Sequence, residues 1–142
     1  MENAIMYKYS KMDLAQFAIF EENVDKSVDE VQYQTEVQFS FDKLNCILCC
    51  KVTINMFQTG KQLLKAVLCN FFNIHAQTME TLSHDDKVEF PIPLLIQFAS
   101  LGYGTMRGVL FARTTDTPLS GYVLPPVYFD RLIDTPFVVE KA

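Results

Sequence analysis

The chain has 142 residues, of which 49% are hydrophobic and 20% are charged, and this composition excludes intrinsic disorder and repetitive fibrous classes. Its 12 Lys and Arg against 17 Asp and Glu give a formal charge of -5, so a nucleic-acid partner is not expected. We expect a single domain spanning 1–142, with apolar surface left for a subunit contact or a binding groove, because 12 Phe are many for a small soluble monomer.

The first half of the sequence predicts four β-strands. The stretch Tyr7–Phe20 is apolar with weak alternation and predicts a first strand. After an acidic connection over Glu21–Glu30, apolar and polar residues alternate from Val31 to Phe41, which is typical of a half-solvated strand. Alternation continues over Leu44–Met56, and Lys61–Gln77 follows after a short glycine-bearing connection. This spacing indicates a hairpin between the third and fourth strands.

The alternation also predicts which side chains share a face. Leu44 and Cys46 are predicted on the apolar face of the third strand. In the fourth strand, Phe72 shares the apolar face with Ala76, so the neighbouring Phe71 is predicted on the opposite face.

One long helix is predicted after the strands. From Ile92 to Ala112 there is one charge, Arg107, and the apolar period shifts toward 3.6. Ser100, Gly104 and Gly108 are spaced four apart and form a small-residue stripe, which predicts an oligomer interface because small residues let another backbone approach closely. A membrane span is the alternative for this segment. Its polar residues and the β pattern upstream favour a buried interface helix, so no membrane insertion is predicted.

No constellation of residues predicts catalysis, a metal site or a cofactor. On a strand, Cys46 and Cys50 point away from Cys49, so the three thiols cannot converge on one ion. The cysteines are interpreted as reduced core residues, because no secretory signal is predicted and the expected compartment is the cytoplasm. His75 and His84 accompany no recognisable nucleophile motif. We therefore predict that the protein is not an enzyme.

The order of elements and one C-terminal string resemble the SecB family of export chaperones. In that family a Phe-Pro precedes the long helix or lies early in it, and Phe90-Pro91 is similar here. A Leu-x-Pro-Val-Asn-Phe-Asp-x-Leu string follows in the family. In this chain Tyr128 stands in place of the Asn. The residues that match the string are Leu124, Pro126, Val127, Phe129, Asp130 and Leu132.

The resemblance implies an α+β fold with a four-stranded antiparallel sheet, a crossover between strands 1 and 2, and one long C-terminal helix packed on the sheet. It implies a homotetramer, built as a dimer of dimers, in which the helices bury the small-residue stripe. It also implies an ATP-independent holdase that binds unfolded polypeptides or preproteins in apolar grooves, for protein export or for a dedicated client. The alternative is a non-catalytic structural or adaptor subunit whose apolar surface is covered by a fixed protein partner.

The resemblance also suggests where clients bind. Phe17, Phe20 and Tyr33 flank the crossover, which in this family helps to wall the groove, and Phe71 is predicted off the core face. These four residues are therefore the predicted client-binding groove. Ordinary packing of the first strand remains the alternative for Phe17 and Phe20, and a subunit contact remains the alternative for Phe71.

The acidic connection is a candidate docking site for a partner. Glu21, Glu22 and Asp25 lack the spacing of a calcium loop, so solvated surface is the alternative interpretation. In the SecB family, acids on the first and fourth strands bind the SecA motor. Here Glu21 stands at one such position while Phe17 and Lys65 stand at others, so the resemblance supports SecA as a partner only weakly.

Overall fold

The computed structural model describes residues 5–141, which form two antiparallel sheets and one long helix. The elements in chain order are β1 (Tyr7–Ile19), a 3-10 turn (Glu21–Asn23), β2 (Gln32–Asp42), β3 (Ile47–Gln58), β4 (Lys61–Ile74), α1 (Ala76–Leu82), β5 (Ser83–His84), β6 (Lys87–Phe90), α2 (Ile92–Arg113), α3 (Phe129–Leu132) and β7 (Phe137–Glu140).

The larger sheet has the strand order β1-β4-β3-β2, and every neighbouring pair is antiparallel. The chain therefore crosses from β1 at one edge to β2 at the other, and then returns through two hairpins. The predicted α+β fold with a crossover between the first two strands is confirmed. As a result, β1 and β2 are both edge strands.

The core lies between one face of this sheet and α2. Phe72 of β4 is fully buried and its ring stacks on Phe98 of α2, with 4.4 Å between the ring centroids. Tyr9 of β1 lies on the same face, with 4.6 Å between its ring centroid and that of Phe72. Phe71 lies half-buried on the opposite, outer face, where Lys11 sits 5.5 Å from its ring centroid. The predicted assignment of Phe71 and Phe72 to opposite faces is confirmed.

Two strand boundaries differ from the sequence prediction. Leu44 and Cys46 do not lie on the inward face of β3 but in the turn before it, where Leu44 is 88% exposed and Cys46 has φ of 54°. The cause is local, because the Asp42 carboxylate accepts hydrogen bonds from the backbone of Leu44 and Asn45 and closes the turn.

The end of β4 also comes earlier than predicted. The strand stops at Ile74, and Ala76 is exposed as the first residue of α1 instead of continuing the apolar face. The side chain of His75 accepts a hydrogen bond from the backbone N–H of Gln77, at 3.2 Å, and so caps the start of the short helix.

The second sheet, β5-β6-β7, was not predicted from the sequence. Its strand β7 comes from the C-terminus and pairs with β6 from Lys87↔Glu140 to Phe90↔Phe137. The ring centroid of Phe39 in β2 lies 6.2 Å from that of Phe137. The ring centroid of Phe41, also in β2, lies 5.1 Å from that of Phe90. These aromatic contacts pack the small sheet against the C-terminal half of β2.

Candidate functional site

An open groove runs along the inner side and free edge of β2. It is formed by two connected cavities of about 450 and 210 Å³, which share Val37, Leu132 and Ile133. We call this surface the β2 groove and define it by the residues that line it: Thr35, Glu36, Val37, Gln38, Phe39, Leu95, Leu132, Ile133, Asp134, Thr135, Pro136 and Phe137.

The outer wall of the β2 groove is formed by Leu132 at the end of α3 and by the segment that follows it. This wall is held in place by the attachment of the chain to α2. Phe129 is buried with its ring edge-on to Tyr103, at 5.7 Å between centroids. The Tyr103 hydroxyl donates a hydrogen bond to the carbonyl of Pro125, at 2.6 Å. Leu124 is also buried. These contacts fix the extended Pro-rich chain on the helix and leave the residues after it standing opposite β2.

The chemistry of the β2 groove is apolar at its base and acidic at its rim. Val37 and Phe39 are half-buried on the inward face of β2, and Leu95 rises from the first turns of α2. Leu132 is 56% exposed, so a large apolar side chain faces the opening. Glu36 and Asp134 are exposed at the rim. Such a surface suits apolar side chains that enter from an extended partner.

The structure places the four predicted client-binding residues in three different places. Phe17 is half-buried on the inner face of β1, with the Arg113 guanidinium 5.7 Å from its ring centroid. Phe20 follows β1, and its backbone N–H donates to the carbonyl of Leu63. Tyr33 lies across the sheet on β2, where burial raises its pKa. Phe71 lies on the outer face.

Only Tyr33 therefore lies on the strand that forms the β2 groove, two residues before Thr35. The apolar residues that line the groove, including Val37, Phe39 and Ile133, are not among the residues predicted from the sequence to bind clients. Leu132 appeared only as part of the SecB-like string. A usable signal was present in β2 itself, since this regular alternating strand contains no Lys or Pro.

The small-residue stripe lies on the solvent side of α2. Ser100, Gly104 and Gly108 are exposed, and a Cβ added at either glycine would meet no atom within 4 Å. Gly102 is instead the glycine that faces the sheet, where an added Cβ would lie 2.7 Å from Nδ2 of Asn70. No helix within residues 5–141 is long and apolar enough to cross a membrane.

The acidic docking candidates lie on the surface around the 3-10 turn. Glu21 and Glu22 are exposed at its start. The Asp25 carboxylate accepts hydrogen bonds from the Ser27 hydroxyl and backbone N–H, which lower the pKa of Asp25. The backbone N–H of Asp25 donates to the side chain of the buried Gln58, at 2.8 Å, so this part of the connection is tied to the end of β3.

The cysteines occupy both faces of the sheet. Cys50 is fully buried in the core, and burial raises the pKa of its thiol to about 12. Cys49 and Cys69 are half-buried on the outer face, where burial and then the neighbouring Cys69 raise the pKa of Cys49 to about 11. The core interpretation is thus correct for Cys50 and wrong for the other three. Within residues 5–141, no three His, Cys, Asp or Glu side chains are grouped so as to hold a metal ion.

Comparison with known proteins supports the fold. No protein-family model and no curated protein sequence matches the chain. Among solved structures, it is similar to the Mycobacterium tuberculosis Rv1957 SecB-like chaperone in complex with a ChAD peptide from the Rv1956 HigA1 antitoxin. The TM-score is 0.61 at 13% sequence identity, over 86% of this chain and 90% of that chain. The chain therefore has a SecB-like fold.

Proposed function

We propose that this chain is an ATP-independent, non-catalytic chaperone that binds non-native segments of other polypeptides in the β2 groove. The observation that carries the proposal is the open groove with an apolar base along an edge strand of a SecB-like fold. The structural neighbour, which is bound to a peptide from a partner protein, supports the same function. The proposed place of action is the cytoplasm, with no metal or other cofactor.

The proposed mechanism is the burial of apolar client side chains. Each Leu or Phe of a client that leaves water in the groove contributes roughly 1.5–3 kcal/mol. No chemical step is needed, because occupation of the groove alone keeps an exposed apolar segment from other unfolded chains. The same mechanism would serve either protein export or the protection of one dedicated client, such as an antitoxin.

Replacing Leu132 by Asp tests the groove. The side chain is 56% exposed, so the fold should tolerate a carboxylate there, while the groove loses an apolar contact and gains a charge. We expect client affinity to fall by about tenfold or more. The measurement is light scattering from a denatured, aggregation-prone enzyme diluted into the protein, with variant concentrations titrated.

Leu44→Asp is the matched control, because Leu44 is also an exposed leucine, at 88%, but lies in the turn between β2 and β3. It should suppress aggregation as the parent does. Equal activity of both variants and the parent would show that clients bind elsewhere.

An adaptor is the second candidate function, in which the same groove is permanently covered by one partner protein. The peptide from a defined partner in the structural neighbour favours this candidate. Kinetics separate the two, because a holdase exchanges clients, whereas a fixed partner remains bound in a stoichiometric complex through purification. SecA remains a weakly supported partner.

We also propose that the protein assembles as a homotetramer, a dimer of dimers, through the exposed stripe of α2. Leu101 and Phe111 are 40% and 68% exposed on the same helix, which extends the stripe with apolar surface. Within one chain, the Cβ added by Gly104→Leu or Gly108→Leu would meet no atom within 4 Å, so each new side chain begins in open space.

A lower oligomer mass for these two variants, without loss of helical signal, is therefore the expected result. A branched side chain would hold the facing backbone away. Light scattering coupled to size exclusion gives the mass, and Gly108→Ala serves as the small-side-chain control. Unchanged mass in both leucine variants would place the interface elsewhere.

A further inference from the structure

We propose that the occupant of the β2 groove is an extended segment that pairs through its backbone with the free edge of β2, as an added strand. This inference rests on the proposed function and specifies how the client is held. It also names the class of client, which is a segment that can form a β-strand.

The backbone of β2 is available for pairing. In the larger sheet, β2 has β3 as its neighbour on one side and stands at the edge on the other. Within residues 5–141, no other backbone segment hydrogen-bonds to the backbone of Gln32–Asp42. Because antiparallel pairing uses the N–H and C=O of alternate residues, about half of the residues in β2 direct both groups outward.

The two edge strands of the sheet differ in their protection against pairing with a further strand. β1 has irregular register at Tyr9/Lys11 and Leu14/Gln16, and it carries lysines at positions 8 and 11. Bulges and lysines are the usual protection of an edge strand against further pairing. β2 has neither, since its eleven residues pair with β3 without a register shift and include no Lys or Pro. The edge beside the groove is thus the unprotected one.

The shape of the cavity follows the strand edge. The 450 Å³ cavity is lined by four consecutive residues of β2, from Thr35 to Gln38. Successive side chains of a strand point to opposite faces, so this lining includes residues of both faces of β2. A lining of this kind is typical of a cavity that reaches the edge of the strand, where the outward N–H and C=O groups are.

The edge of β2 has a segment of its own chain opposite it. Leu132 and Ile133 line the same cavity and belong to the segment after α2, so the free edge of β2 faces a wall formed by its own chain. A second copy pairing through β2 would have to bring its whole sheet past this wall. A single client strand needs only the width of one strand, about 4.8 Å from β2.

This mode of binding explains how one groove can accept many sequences. Backbone pairing contributes affinity whatever the client side chains are, and specificity comes only from alternate residues. Those residues would point to the apolar base at Val37, Phe39 and Leu95. The structure therefore favours segments with apolar side chains at every second position, and with free backbone N–H groups.

N-methylation of a peptide tests the proposal without altering the protein. The probe is a capped, fluorescein-labelled nine-residue peptide with Leu at every second position and Ser or Gln between. Two derivatives carry the same number of N-methyl groups, one on the odd and one on the even amides. Only alternate amides of an added strand face β2, so we expect one derivative to lose about tenfold or more in affinity and the other to stay within about twofold. Fluorescence anisotropy gives the affinities.

The outcomes separate this inference from the proposed function. Equal affinities of the two derivatives, whether both match the parent peptide or both are weakened, would overturn strand addition and leave the groove as a client site. No binding of the parent peptide would overturn both. A fall in oligomer mass on adding the peptide would show that the β2 edge is a contact between copies, and would also overturn the inference.

Discussion

Replacing Gly102 by Ala should destabilise the protein by about 2 kcal/mol or more, whereas the same change at Gly108 should leave stability unchanged or raise it by up to about 1 kcal/mol. At Gly102 the new Cβ would lie 2.7 Å from Nδ2 of Asn70 and 3.2 Å from Cγ2 of Val52. At Gly108 it would meet nothing within 4 Å, so the helix only gains the better propensity of Ala.

The Asn70 amide cannot move away from the new Cβ without losing hydrogen bonds. Asn70 is fully buried, and its Nδ2 donates to the carbonyl of Cys50 at 3.0 Å. Its Oδ1 accepts from the Tyr9 hydroxyl, which also lies 3.1 Å from the Thr105 hydroxyl. Displacing the amide therefore breaks buried hydrogen bonds, at a cost of about 1–3 kcal/mol for each orphaned group.

Urea denaturation of both variants gives the comparison, with the oligomer mass measured in parallel so that assembly and folding are separated. A Gly102→Ala protein as stable as the parent would mean that α2 does not approach the sheet at this point as closely as the structure has it.

Phe72→Ala should cost about 3–5 kcal/mol, a large fraction of the stability of a typical domain. The ring is fully buried, stacks on Phe98 at 4.4 Å and contacts Tyr7 at 5.7 Å between centroids. Its removal leaves a cavity between the sheet and α2, which are both regular elements and cannot readily collapse into it.

Phe71→Ala is the matched control one residue away. Phe71 is half-buried on the outer face beside Lys11, so its loss should cost only about 1 kcal/mol. Free energies of unfolding from urea titrations compare the two variants directly. Equal losses at the two positions would mean that the outer face is also a packed interface, as a subunit contact at Phe71 would require.

Local periodicity was enough to predict the elements whose residues repeat with a clear period. β2, β3 and β4 were predicted within a few residues of their observed bounds, and α2 ends one residue beyond the prediction, at Arg113. Alternation also separated Phe72 from Phe71. These features follow from local geometry, because the direction of each side chain is set by the backbone repeat of its own element.

The inward face of α2 was not predicted from the sequence. The stripe of Ser100, Gly104 and Gly108 predicts a contact with another subunit, and these residues are exposed on the solvent side of the helix. The glycine that contacts the chain's own sheet is Gly102. The sequence contains a signal for this inward position, since Gly102 lies four residues from both Phe98 and Met106, which are buried. The solvent side of α2 is itself weakly polar, so apolar period alone did not decide which face turns inward.

The small sheet and the β2 groove depend on contacts between distant parts of the chain. The strands β6 and β7 have four residues each, too few to show a period, and they pair across about fifty positions of sequence. Whether a strand is central or at an edge is fixed by its partners and not by its own alternation. The crossing of β1 to the far edge leaves β2 unpaired on one side, and the anchoring of Phe129 on α2 places Leu132 and Ile133 opposite it. The groove is thus made by contacts between segments that are distant in sequence.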